Sequence, residues 1–514
     1  MRDGPAWALL HPRLALTCPA GPLGPGDVTV GEPVAGAAGA VDLKTLLRER
    51  LAPLPAGDRD RLVAAVATAA MTGVAGTQPR TPEALHDLRE ALRERRPRAA
   101  AGAAPPLSIA LVARADVRTF FVGGRLRDDD APAVRLTAVA PEGHRAELLG
   151  LLTRDGDDFA CTFELPAPSA LDAGWLFELE AADGAELEVE ASPALAEPVE
   201  ARDALLARSI GADGALDDHA ARAIGRIQAA AQTDVGVDEI VQFGRPPGDP
   251  DLTVVVPLYH NLYFVEQQLA EFADDPELRA VDLLYVLDSP EVAGDLVGYA
   301  RQLAEIYDVP FRVAVLGRNL GYAGANNAGA RLARGRLLLL LNSDVVPTAP
   351  GWLGALVAAH DAMPGIGALG PKLLYEDDTL QHAGVYFRRA PDGVWENAHF
   401  YKGLSGTLPA ANLARSVPAV TGACLLIDRA LFERVGGLSG DYVQGDYEDT
   451  DLCLRLLEEG HENRYVPDVA LYHLEGQSYA SDARRRNTAY NARLHTRRWG
   501  QRIAELMSTQ EAAS

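Results

Sequence analysis

The stretch Leu337-Leu338-Leu339-Leu340-Leu341-Asn342-Ser343-Asp344 decides how the second half of this chain is read. Five leucines are too few to span a bilayer, and an unbroken apolar run suits a strand covered on both faces. Similar runs stand at 252–258, 282–287 and 311–316, and stretches with helical spacing lie at 264–272, 292–307 and 323–334. Strands alternating with helices imply crossover connections and an α/β fold with a mostly parallel sheet. Such sheets bind ligands at the carboxyl ends of their strands. Here those ends carry Tyr259-His260-Asn261, Asp288-Ser289 and Asn342-Ser343-Asp344.

Upstream of this region, Arg245-Pro246-Pro247-Gly248-Asp249-Pro250 stops both helix and ladder and reads as a linker. The α/β domain is therefore expected over 251–505, followed by a tail over 506–514. Residues 200–250 are Ala-rich and expected as a helical linker. Residues 105–199 carry short alternating segments such as Phe159-Ala160-Cys161-Thr162-Phe163, with turns at Asp155-Gly156 and Asp183-Gly184, the pattern of a small β-sandwich. Residues 1–104 read as irregular at first and then helical over 42–97, with a helix start at Thr81-Pro82-Glu83. In the sandwich, Phe120, Phe121 and Trp175 are candidate platforms for a glycan, although large aromatics usually bury.

The 514 residues exceed what one core usually organises. A formal net charge of -24 opposes delocalised attraction to nucleic acid or anionic lipid. Cys18, Cys161, Cys424 and Cys453 are scattered with no C-x-x-C pair, so neither a zinc knuckle nor a disulfide framework is expected, and a reducing cytoplasm is the simplest location. Neither export nor membrane spanning is expected, since the amino terminus lacks a long apolar run; peripheral membrane contact and oligomeric state stay open.

Chemistry concentrates in three places. Asp344 follows a buried strand directly, where a hard cation and a diphosphate can meet oxygen ligands; a turn-forming aspartate is the plainer alternative. The small-residue loop Asn319-Leu320-Gly321-Tyr322-Ala323-Gly324-Ala325-Asn326-Asn327-Ala328-Gly329 enters a helix and lets backbone amides approach a ligand. Its glycines at 317, 321 and 324 lack the spacing of a dinucleotide fingerprint. Third, Gly445-Asp446-Tyr447-Glu448-Asp449-Thr450-Asp451 puts carboxylates at the start of a helix, a position that capping alone also explains. His473 follows an apolar run, where a hydrogen-bonded rim histidine is the plain reading. The arginines at 484, 485, 486, 493, 497, 498 and 502 form the one concentrated basic patch, suited either to phosphates or to pairing with surface acids.

Taken in order, Val256-Pro257-Leu258-Tyr259, Asn319-x-Gly321 with Asn326-Asn327-x-Gly329, Asn342-Ser343-Asp344, Thr421-Gly422-Ala423 and Glu448-Asp449-x-Asp451-Leu452-Cys453-x-Arg455 resemble the family-two glycosyltransferases of the GT-A fold, especially the bacterial rhamnosyltransferase-like branch. The resemblance covers about half the chain and implies a Rossmann-like catalytic domain. By it, Pro257, Tyr259, Asp288, Asn319, Gly321, Asn327, Asn342, Ser343, Asp344, Gly422 and Glu448 would hold the nucleotide-sugar. Asp344 and His473 would hold Mg²⁺ or Mn²⁺, and Asp449 would be the catalytic base. Two departures stand out: Asn342 replaces the first acid of the D-x-D motif, and Asp288-Ser289-Pro290 replaces the usual Asp-Asn-Gly/Ser-Ser.

The implied reaction moves a sugar, with inversion, from a nucleotide diphosphate donor to the hydroxyl of a saccharide, a lipid-linked saccharide or a glycan. A cation would neutralise the leaving diphosphate, and an ionised aspartate would take the acceptor's proton. A nucleotidyltransferase would need a Gly-rich loop with a basic residue after the first strand, where this chain has Tyr259-His260-Asn261. A carbohydrate-binding scaffold with a degenerate transferase domain would have no chemical reason to keep Asp344, Asp449 and His473.

Overall fold

Leu337–Leu341 is a strand with every side chain buried. Leu337, Leu339 and Leu341 enter one hydrophobic core and Leu338 and Leu340 enter another, so the sheet is covered on both faces. The computed structural model describes residues 6–11, 14–18, 29–31, 105–127, 132–169, 173–211, 214–232, 236–474 and 482–513. They divide into two compact units. One runs to Leu195 without Arg114–Asp116; the other is Ala196–Ser514 with that short piece.

In the first unit, Ala6–His11, Leu14–Cys18 and Thr29–Gly31 are strands of one antiparallel sheet, where an irregular segment was expected. The helices expected over 42–97 lie outside the described residues. Beyond them stand two four-stranded sheets. One is ordered Leu107–Arg114, Thr119–Leu126, Asp158–Glu164, Thr153–Asp155; the other is ordered Glu186–Pro193, Gly174–Ala181, Ala133–Val139, Arg145–Glu147. Both supply one core, as the two faces of a sandwich do. Phe159, Cys161 and Phe163 alternate into it. Phe120, Phe121 and Trp175 are no glycan platforms: they are 0%, 2% and 1% exposed, and the rings of Phe120 and Trp175 lie 4.8 Å apart.

The second unit begins with helices α1 (Pro198–Leu206) and α2 (Asp218–Gln232). Strand β1 (Val237–Phe243) follows inside the expected helical linker and pairs antiparallel with β4 (Phe311–Leu316) at the sheet edge. Its sequence Val-Asp-Glu-Ile-Val-Gln-Phe breaks the alternation at Glu239 and Ile240, so the strand carries only a weak two-residue period. Next come β2 (Leu252–Leu258), α3 (Tyr263–Ala273), β3 (Asp282–Leu287), α4 (Ala293–Tyr307), β4, α5 (Gly321–Leu332) and β5 (Leu337–Leu341). Strands β4, β3, β2 and β5 are neighbours in that order, all parallel.

Beyond β5 the sheet becomes mixed rather than parallel. Order continues through β12 (Cys424–Asp428), β7 (Ile366–Leu374), β13 (Glu462–His473) and β6 (Val345–Pro347). β12 lies antiparallel to β5, and β6 antiparallel to β13. Strand β8 (Leu380–His382) pairs with β7, while β9 (Val385–Arg389) and β10 (Trp395–His399) form a separate hairpin around Asp392-Gly393. Strand β11 (Arg415–Ser416) pairs with β13. Helices α3, α4 and α6 (Trp352–Asp361) cover one face; α5, α7 (Arg429–Arg434), α8 (Glu448–Glu458) and α9 (Asp482–Ala513) supply the other core. A Cβ on Gly329 would stand 2.3 Å from Val255 Cγ1, so this glycine lets α5 lie directly on β2.

Candidate active site

The ends of β2, β5, β10 and β13 and the starts of α8 and α9 enclose a cavity of about 980 Å³. Tyr259, Asn342, Asp344, Gly422, Glu448, Asp449 and His473 all line it. Asp344 and His473 meet because β6 pairs with β13 in a register that sets Val345 opposite His473. His473 Nε2 lies 3.2 Å from Asp344 Oδ1, and His473 Nδ1 lies 2.8 Å from Gln381 Oε1. A carbonyl oxygen only accepts, so Nδ1 donates to Gln381 and Nε2 is the nitrogen left facing the carboxylate, where it donates when protonated and offers a lone pair when not.

Asp449 sits in the first turn of α8. Its Oδ2 accepts from Gly422 N–H at 2.8 Å and its Oδ1 from Thr450 N–H at 2.7 Å. Gly422 C=O in turn accepts from Tyr322 Oη at 2.7 Å. A Cβ on Gly422 would stand 2.7 Å from that hydroxyl and 3.3 Å from Asp449 Cβ, which explains the glycine in Thr421-Gly422-Ala423. Burial pushes the Asp449 carboxyl above the ordinary carboxylate range, opposed by the two amides. Glu448 is pushed up further by burial and by the Asp449 charge, and its Oε2 is buried without a hydrogen-bond partner. Burial thus disfavours carrying two charges on these neighbouring carboxyls.

Residues 249–492 match the family model described as Glycosyltransferase like family 2. This segment is a glycosyltransferase-like family 2 domain. Among its relatives, the uncharacterized protein y4gI of Sinorhizobium fredii is 33% identical over 45% of this chain and 25% of its own length. The O-antigen biosynthesis protein RfbC of Myxococcus xanthus is 34% identical over 32% of this chain and 13% of its own. The N-acetylglucosaminyl-diphospho-decaprenol L-rhamnosyltransferase of Mycobacterium tuberculosis is 29% identical over 33% of this chain and 61% of its own. The chain thus spans less than two thirds of each of these relatives. Among solved structures, GalNAc-T7 with UDP, GalNAc and Mn²⁺ aligns with a TM-score of 0.39 at 15% identity, over 49% of each chain.

The glycosyltransferase-like domain has the α/β architecture that the resemblance implies. The residues around Asp344 fit a divalent cation: a carboxylate, the His473 Nε2, which ligates when deprotonated, and the Asn342 Oδ1, which is buried with no hydrogen-bond partner. Among the described residues no group of three or more His, Cys, Asp or Glu could hold a metal. Further ligands would have to come from phosphate oxygens or water, as is usual for Mg²⁺.

Other sequence candidates of the domain lie apart from the cavity lining. Asp288 Oδ1 accepts from Leu320 N–H at 2.6 Å, and Asn319 Oδ1 accepts from Gly321 N–H at 3.1 Å, where Gly321 has φ of +71°. Asp288, Asn319 and Gly321 thus form one cluster at the ends of β3 and β4. Burial lifts the Asp288 carboxyl to about 7 against those loop amides. Asn327 exchanges two hydrogen bonds with the backbone of Leu438. Pro257 lies within β2, and Ser343 is half-buried between Asn342 and Asp344. Asp451 is a buried hub that accepts from Tyr442, Arg455, Arg498 and Trp499.

The basic patch divides in the same way. Arg493, Arg497, Arg498 and Arg502 pair with Asp392, Asp218, Asp441 and Glu458, while Arg484 lines the cavity. Gln381, Asn397, His399, Lys402, Asn487 and Thr488 also line it and were not singled out from the sequence. The Asp392-Gly393 turn was the available signal, since it folds β10 back and brings Asn397 and His399 to the site.

Proposed function

We propose that this chain is an inverting, metal-dependent glycosyltransferase, moving a sugar from a nucleotide diphosphate donor to the hydroxyl of a saccharide, lipid-linked saccharide or glycan. One observation carries the reading: the Asp344–His473 pair and Asp449 line the same cavity. Tyr259, Asp288, the Asn319–Gly321 loop and Asn342-Ser343-Asp344 would hold the donor at the strand ends. Mg²⁺ or Mn²⁺, held by Asp344 and His473, would stabilise charge developing on the leaving diphosphate. Asp449, oriented by Gly422 and Thr450, would accept the proton of the acceptor hydroxyl. With one base and attack opposite the diphosphate, the anomeric centre inverts.

The names of the relatives support a saccharide or lipid-linked saccharide acceptor and a place in surface polysaccharide or glycoconjugate synthesis. The buried thiols of Cys424 and Cys453 agree with a cytoplasmic site of action. Among the described residues no helix is long and apolar enough to cross a membrane. We assign the transferase to 251–505, the sandwich to 105–199 and the connecting segment to 200–250, with 1–104 and 506–514 flanking them.

The test is thermal stabilisation by UDP-, GDP- and dTDP-sugars with and without Mn²⁺. A donor at 100 times its Kd contributes about 2.7 kcal/mol to the folded state. A metal-dependent rise in Tm with one nucleotide class is expected; no rise with any of them would overturn the reading.

A further inference from the structure

Three side chains of α9 reach back to one short segment, Val443–Asp446, beside the cavity: Asn491 to its main chain, Asn487 and Thr488 to its side chains. Asn491 is fully buried. Its Nδ2 donates to the carbonyls of Val443 at 3.1 Å, Gly445 at 2.7 Å and Asp446 at 3.3 Å, and its Oδ1 accepts from Val443 N–H at 2.9 Å. Asn487 Nδ2 donates to Gln444 Oε1 at 2.7 Å, and Thr488 Oγ1 donates to Asp446 Oδ2 at 2.7 Å. The stretch so held is unusual. Gln444, Asp446 and Tyr447 have φ of +64°, +74° and +79°, and Gly445 has +150°. Side chains rarely adopt this region, and a run of it persists only where the surroundings over-determine it.

The arch leads directly into α8. Tyr447 is the residue before the first helical turn, so its dihedrals set the direction in which Glu448 and Asp449 leave. Within the arch, Gln444 C=O accepts from Tyr322 N–H and Tyr447 C=O from Asp451 N–H, while the carbonyls of Gly445 and Asp446 take their donor from the Asn491 carboxamide.

We propose that Asn491 is a positioning residue, whose carboxamide holds the left-handed arch Gln444–Tyr447 so that Asp449 faces the cavity. This rests on the reading of Asp449 as the base, yet it concerns geometry and is tested without a donor. Asn491 does not line the cavity, and its effect on the reaction passes through Asp449.

The experiment compares wild type with Asn491→Asp, which keeps the shape but sets an acceptor-only carboxylate against three carbonyl oxygens. Crystal structures and a carbon-13 carboxyl titration of Asp449 are the readouts. The expected result is an arch that leaves the left-handed region, loss of the Gly422–Asp449 bond, and an Asp449 titration displaced toward the ordinary carboxylate range as the side chain meets water. An arch and an Asp449 titration unchanged from wild type would overturn the proposal, whether or not Asp449 proves to be the base. Should Asn491→Asp fail to fold, Thr488→Val removes one tie to the arch and is read in the same way: a displaced Asp449 titration supports the clamp, and an unmoved one refutes it.

Discussion

Gly422 donates its amide to Asp449 Oδ2 at 2.8 Å, and a Cβ at Gly422 would stand 3.3 Å from Asp449 Cβ. The motif Thr421-Gly422-Ala423 thus orients a carboxylate and leaves room for it. Gly422→Ala should push both Asp449 and the Tyr322 hydroxyl, lowering transfer by roughly 100-fold, the scale of a small misplacement of reacting groups. Donor affinity, read by calorimetry, should change little; unaltered transfer would show that the contact has slack.

Asp344 is the carboxylate nearest His473 Nε2. Asp344→Ala should remove the metal-dependent part of donor affinity, by at least about 10–100-fold, the cost of losing even an outer partner of a metal site. Binding measured with and without Mn²⁺ checks this. Equal metal dependence in variant and wild type would place the cation elsewhere.

Asp288 carries a pH signature of its own. Its folded carboxyl is raised to about 7 while an unfolded aspartate stays near 3.9. Between those values the folded chain holds a proton that the unfolded chain releases. The stability contribution is therefore present at low pH and lost as pH rises through about 7. Asp288→Asn keeps an oxygen acceptor for Leu320 N–H and removes the titration, so its stability relative to wild type should rise from pH 4 to pH 8 by on the order of 2 kcal/mol. Denaturant unfolding at both pH values measures it, and a constant difference would contradict the assignment.

The parallel half of the sheet was legible because its buried strands are nearly all apolar, with Arg312 paired to Asp282 as the chief exception, and each crossover had helical spacing. The mixed half was not: β12, β7, β13 and β6 follow no simple strand–helix alternation, and their pairing is set by long-range register, such as Val345 opposite His473. The site divides likewise. Asp344, Asp449 and His473 stand in motifs, and the fold gathers them. Asn397 and His399 stand in a hairpin whose sequence advertises only a turn, Lys402 lies in the turn after it, and Asn487, Thr488 and Asn491 lie on a helix whose arginines drew the attention. Four of those arginines proved to be paired with acids, because a long exposed helix meets many carboxylates in so acidic a chain.

The central claim is that Asp449 takes the acceptor's proton in a cavity whose other end grips the donor. Turnover of Asp449→Asn, measured once a stabilising sugar-nucleotide is in hand, tests it most directly. The account predicts that donor affinity holds and that transfer falls by about 10²–10⁴-fold, the usual contribution of a positioned base. Wild-type activity should itself fall in acid at a pH above the ordinary aspartate range, as Asp449 is protonated. Full turnover by purified Asp449→Asn would contradict the account.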